Sequence, residues 1–391
     1  MDETSTPHVL RYLKDPGHAN KAEGSVSVEY RLLCSGTVHR KIVGDWSKSD
    51  VARFLLAPPL MLYVASRPID DYPTELVLNF GVERVTETTA SATTIFYPDS
   101  EVARDLAALL TLLCRRLITV SGKCRERYSE PYHMGLDFTP LLVIKAFRRV
   151  YWPPLPFSIL TSFESQEIRD NNPPPLAVDP ARLTSLLLGL PRAEYSDAIL
   201  ASARLYALAL ELIREQPDLS YQLLISAVET LANGTLRSFQ PTDEEKVAHQ
   251  SKVFDFLTDS GIESEVAKKA AIVACAREYW IKKKFRKFLA DNIEEAFWSE
   301  TDNLFKTLPN CVPTRDQAEK TFGVIYDTRS KATHHGQPFP ASATYDGGPM
   351  VDVKIVASML GPKAVFPPVV WFERVVNHAI VNFWQRSIDE K

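Results

Sequence analysis

At 391 residues the chain is longer than one small domain requires, and two domains are the natural expectation. Its 45% hydrophobic and 24% charged residues are ordinary for a globular protein with a sizeable core, and no apolar run reaches the 18 residues that a membrane span requires. A formal net charge of -4 argues against a chain coated in nucleic acid but leaves room for a local basic groove.

The opening residues, MDETSTPHVLRYLKDPG, are acidic and polar where a secretory signal has a basic end and an apolar core, so a cytoplasmic protein is expected. Residues 25–32 (SVSVEYRL) alternate apolar and polar with period two, the pattern of a half-buried strand. A second strand is expected at 37–43 and a helix at 46–56, begun by Ser47 or Ser49. Three apolar, β-branched or aromatic runs at 60–65, 75–82 and 93–97 read as further strands. From Asp99 or Ser100 the period changes: Val102, Leu106, Leu109, Leu110, Leu113 and Leu117 fall on one helical face. Residues 1–170 are thus an α+β domain.

Adjacent prolines forbid regular structure at 151–157 (YWPPLPF), and DNNPPP at 170–175 is the best domain boundary, within a proline-rich linker at 171–179. Beyond it, residues 180–391 read as an all-α bundle. Helices are expected at 196–215 and 219–233, the second stopped by Gly234, and their short connection favours an antiparallel pair. Further helices are expected at 242–259, 264–279, from Lys282 toward Asp291, and at 315–334. An insertion at about 337–366, with a short helix near 353–360, precedes a final apolar helix at 369–387.

Several chemistries have no support. Cys34, Cys114, Cys124, Cys275 and Cys311 are scattered, odd in number and without a C-x-x-C pair, which argues for neither a disulfide framework nor a zinc site. There is no G-x-x-x-x-G-K-[ST], G-x-S-x-G or H-E-x-x-H. No metal or cofactor is expected.

The polar residues that stand out lie in IYDTRSKATHHG, residues 325–336, the last turns of a helix closed by Gly336. Arg329 offers a planar cation suited to phosphate, and His334, five residues on, can exchange protons near neutral pH. Five residues of helix separate the two by about 140°, so a site using both needs a loosened last turn or a second copy across a two-fold axis. The bland reading of the same residues is a solvated arginine and a C-terminal histidine. A basic and aromatic cluster, Lys282, Lys283, Lys284, Arg286 and Lys287 with Phe285 and Phe288 interleaved, is the candidate RNA track; a solvated helix face with core aromatics is its plain alternative.

Arg329, four intervening residues, then His334, with Ser330 directly after the arginine, resembles the signature of the HEPN superfamily of helical ribonucleases, and RSKATHHG is closest to its ApeA-like branch. The helix pair at 202–234, SARLYALALELIREQPDLSYQLLISAVETLANG, and the closing helix extend the resemblance over roughly residues 180–391. It implies metal-independent RNA cleavage, with Arg329, His334 and Ser330 in the site, Glu229 and His335 supporting it, RNA as partner, a homodimer as the working unit and a role in bacterial anti-phage defence. Residues 1–170 would then sense a phage or host trigger. The rival expectation is a catalytically silent bundle that binds RNA or protein or serves as a dimerisation module, in which Glu229 merely partners an arginine of the bundle.

Overall fold

The computed structural model describes residues 6–16, 26–34, 38–40, 54–56, 60–64, 74–82, 85–88, 93–96, 98–128, 135–137, 161–162, 176–213, 215–240, 242–275, 277–299, 313–340, 343 and 366–389. The first part is α+β and the remainder is helical. Helix α1 (His8–Lys14) precedes strands β1 (Val26–Cys34), β2 (Val38–Arg40), β3 (Phe54–Leu56), β4 (Met61–Val64), β5 (Thr74–Val82), β6 (Val85–Thr88) and β7 (Thr93–Phe96). Helix α2 (Asp99–Cys114) and strands β8 (Ile118–Tyr128), β9 (Gly135–Asp137), β10 (Thr161–Ser162) and β11 (Leu176–Val178) complete this part.

The main sheet runs β3-β4-β5-β1-β8-β9, every pairing antiparallel. Alternation along β1 explains its central place: Val26, Val28, Tyr30 and Leu32 all turn inward and are buried. Residues 46–56 do not form one helix, because Phe54–Leu56 is strand β3, paired with β4 and burying Leu56 beside Leu62; residues 46–53 lie outside the described residues. The polar sequence of β8, ITVSGKCRERY, hides its strand character, which comes from pairing with β1 along its length. Within the stretch read as linker, β11 pairs parallel with β2; the breaks at 151–157 and 170–175 lie outside the described residues.

The helical part comprises α3 (Pro180–Gly189), α4 (Ser196–Leu212), α5 (Pro217–Thr235), α6 (Asp243–His249), α7 (Ser251–Asp259), α8 (Ser264–Ala274), α9 (Arg277–Asn292), α10 (Glu295–Ser299), α11 (Arg315–His335) and α12 (Val369–Asp389). Helices α4 and α5 are antiparallel: the Ser202 hydroxyl donates to the Ala227 carbonyl at 2.7 Å and the Ser220 hydroxyl to the Ala209 carbonyl at 2.8 Å, a descending register. Small residues at these contacts let the backbones approach. Gly234 does not stop α5, which continues to Thr235 and is capped at Leu236 by a bond to the Ala232 carbonyl. The expected single helix at 242–259 is broken at Gln250, whose side chain reaches the Ala274 carbonyl at 3.3 Å. Likewise α8 ends before the extended, buried Cys275, and a new helix starts at Arg277. The short helix near 353–360 lies outside the described residues.

One hydrophobic core runs from α1 and the sheet through α2 into the bundle, with Phe80, Leu109, Tyr206, Leu224, Phe285, Phe322 and Trp371 among its members. Burial of each such side chain contributes roughly 1.5–3 kcal/mol. Helix α2 is the hinge of this arrangement in a packing sense, with the sheet on one side and α4 on the other. Arg204 of α4 grips Asp105 of α2 through two bonds of 2.6 and 2.7 Å. Helices α6 and α7 bury no residue, and α8 buries only Ala267 and Ala271, so these three form a lobe beside the core. No helix of the described residues is long and apolar enough to cross a membrane.

Candidate functional site

Helix α11 positions the signature residues. Its start is set by Thr314, whose backbone N–H donates to the Gln317 side chain at 3.2 Å. Ala318, Phe322, Ile325 and Tyr326 recur at helical spacing and are all buried, Tyr326 packing against Phe285 of α9 with ring centroids 5.5 Å apart. From Asp327 onward the helix turns polar. It ends at Gly336, whose φ of 63° is a left-handed conformation that glycine adopts without a Cβ penalty, and whose amide donates to the Ala332 carbonyl at 3.1 Å.

Arg329 faces α5, where its guanidinium donates to the Glu229 carboxylate at 3.2 Å. Both side chains are partly withdrawn from solvent, Arg329 at 26% and Glu229 at 13% exposure. Glu229 is thus the partner of the signature arginine itself. Ser330 is half-buried; His334 and His335 are exposed on the last turn. Among the described residues the side chains of Ser330, His334 and His335 make no hydrogen bond. The structure brings Arg329 and Glu229 together, and it leaves His334 on another face of the same regular helix, the one shared with Asp327 two turns earlier.

The basic cluster differs from an open RNA track. Lys282 donates to both Asp327 oxygens at 2.7 Å, Lys283 pairs with Glu245, Arg286 with Glu319, and Lys287 with Asp291 at 3.1 Å. Lys284 is half-buried and makes no ion pair among the described residues. Phe285 and Phe288 are both in the core, 0% and 2% exposed, so neither ring can stack on a base. Their spacing of three is a packing pattern, and the cations above them mainly tie α9 to α11 and α6.

A second polar constellation, marked by no motif, lies where α12 meets the end of α2. Glu373 of α12 is fully buried and accepts from Arg115 through bonds of 3.1 and 2.5 Å and from the Tyr206 hydroxyl at 2.5 Å. Arg115 reaches it from the end of α2 with a φ of 48°, unusual for a residue other than glycine. Asn377, one turn on from Glu373, donates to the Leu112 carbonyl at 2.6 Å. His378 accepts from the Glu294 amide at 3.4 Å, and burial, then Arg374 and Arg115, push its imidazole down to about 4. The signal was present in VVWFERVVNHAIVNFW, where Glu373 with Asn377 and Arg374 with His378 recur every four residues on an otherwise apolar helix.

A cleft of about 440 Å³ opens between the ends of α5, α9 and α12, lined by Tyr195, Phe288, Asn292, Phe383 and Arg386. A groove of about 850 Å³ lies between α2, the start of β8 and α4. Neither is lined by Arg329 or His334. Comparison with models of protein families, with curated proteins and with solved structures finds no match.

Proposed function

We propose that residues 180–391 act as a HEPN-type, metal-independent endoribonuclease working as a homodimer, in a cytoplasmic protein of bacterial anti-phage, abortive-infection defence whose first 170 residues sense a phage or host trigger. The observation that carries this reading is the end of α11: an arginine held by one carboxylate, a histidine five residues on that is open to solvent, and a left-handed glycine closing the helix. On this reading the RNA 2′-hydroxyl attacks the adjacent phosphate, the 5′-oxygen leaves, and the products are a 2′,3′-cyclic phosphate and a 5′-hydroxyl end. His334 moves the proton, Arg329 stabilises charge growing on the phosphoryl oxygens, and Ser330 donates to the phosphate. Glu229 aims the arginine. The separation of about 140° between Arg329 and His334 supports a groove shared by two copies.

One observation favours the silent module instead: the cations of α9 are neutralised by carboxylates of α6, α9 and α11, which weakens long-range attraction for RNA. Incubation of the purified protein with total RNA in EDTA separates the two readings. Cleavage to cyclic-phosphate ends, lost in Arg329→Ala and His334→Ala, supports the enzyme. Equal cutting by both variants and the wild type, or no cutting and equal toxicity of wild type and His334→Ala under every trigger, rejects it.

A further inference from the structure

The chain leaving α11 is not loose. Three residues after Gly336, Phe339 is 5% exposed while Gln337, Pro338 and Pro340 around it are open. Its ring stacks on Tyr221 of α5, centroids 5.1 Å apart at 25°, and meets Phe366 edge-on at 5.9 Å. Tyr221 in turn stacks on Phe372 of α12 at 4.7 Å and 6°. The Phe339 amide lies beside the Asp218 carboxylate in the first turn of α5, where it favours the charged form against the upward push of burial; Asp218 Oδ1 makes no hydrogen bond among the described residues. The ring of this residue is therefore held between Tyr221 of α5 and Phe366, which precedes α12.

The sequence around this residue, Gly-Gln-Pro-Phe-Pro at 336–340, stiffens the connection. Pro338 fixes its own φ, and Pro340 confines Phe339 to extended conformations. Three residues span at most about 10 Å, so a fixed Phe339 confines Gly336, and with it the last turn of α11, to a short radius from the aromatic cluster. That turn carries His334 and His335, which no side-chain bond restrains among the described residues. The Gly336 and Gln337 amides close the backbone of this turn on the Ala332 and Lys331 carbonyls, and a packed residue just beyond the cap limits fraying further.

The geometry points to Phe339, with Asp218 and Tyr221, as the anchor that fixes the last turn of α11 and so positions His334, an assignment that rests on the ribonuclease reading for its catalytic consequence. Phe339 touches no reacting atom in this scheme; it is a positioning residue. Release of this single ring would loosen the histidine while leaving Arg329 on Glu229.

The test uses the full chain and two variants, Phe339→Ala and Asp218→Ala, the second removing the carboxylate beside the Phe339 amide while leaving the aromatic cluster in place. Hydrogen exchange of amides 332–336 is read beside cleavage of single-stranded RNA in EDTA. Exchange in this turn is expected to rise roughly tenfold in Phe339→Ala and less in Asp218→Ala, with amides of α5 unchanged. The kcat is expected to fall by about 10²-fold with KM held within about twofold, and Phe339→Leu is expected to recover most of it. Unchanged exchange in the variants that fold overturns the anchor whether or not the wild type cleaves RNA. Faster exchange with unaltered cleavage overturns the positioning of His334. A wild type that never cleaves rejects the ribonuclease reading alone, and the exchange result then decides the anchor by itself.

Discussion

His334 and Arg329 sit on the same helix yet differ in how much the fold holds them. His334 is exposed, so its replacement by alanine should leave the midpoint of chemical denaturation unchanged while lowering single-turnover RNA cleavage by roughly 10²–10⁴-fold, the range for losing a general acid or base. Arg329 shares an ion pair with Glu229 that is partly open to water, and such pairs contribute at most about 1 kcal/mol. Glu229→Gln should therefore cost little stability. It should lower kcat, because the guanidinium loses the charge that aims it; a variant with wild-type kcat would limit Glu229 to packing. The helix that carries them and its glycine stop are legible in the sequence, since both signals are local. The pairing of Glu229 with Arg329 joins positions 100 residues apart and results from how α5 and α11 dock.

Helix α12 shows what an element decides that a residue does not. Its apolar pattern marks it as buried, and burial makes its polar side chains costly unless they are paired. Removing one partner in Glu373→Gln or Arg115→Met should destabilise by roughly 3–5 kcal/mol in urea denaturation, whereas replacing both with apolar residues should cost less than the sum of the two. His378 on the same helix makes stability depend on acid. Its imidazole is neutral in the fold down to about 4, against an ordinary value of 6.5, so protonation favours the unfolded chain. The contribution is complete above pH 6.5 and is lost as pH falls toward 4, about 3 kcal/mol in all. His378→Gln should flatten the pH dependence of the denaturation midpoint across that window, and an unaltered slope would assign the acid sensitivity elsewhere.

At the scale of the molecule, α2 joins what the sequence divides. The core passes from the sheet through α2 to α4 and α12, and the Asp105–Arg204 and Arg115–Glu373 pairs reinforce it. Unfolding of the two parts should therefore coincide: thiol labelling of the buried Cys34 and Cys114 should share a midpoint with the fluorescence change of the buried Trp371 and Trp384. Two separated transitions would mean that the contacts across α2 are weak.

The sequence by itself determined the elements whose signals are local: the alternation of β1, the face of α2 as far as Leu113, the helix pair α4 and α5, and α11 with its glycine end; Leu117, expected on the same face, lies beyond the left-handed Arg115 that ends α2. It also placed Arg329, Ser330 and His334 on one helical end. Only the tertiary structure decided that β8 is a strand, that Gln250 and Cys275 break helices, and that the cations of α9 meet carboxylates. The physical reason is the same in each case. Those outcomes depend on partners distant in the chain, on an adjoining strand, a neighbouring carbonyl or an opposing charge, and no local period or propensity records who the neighbour will be.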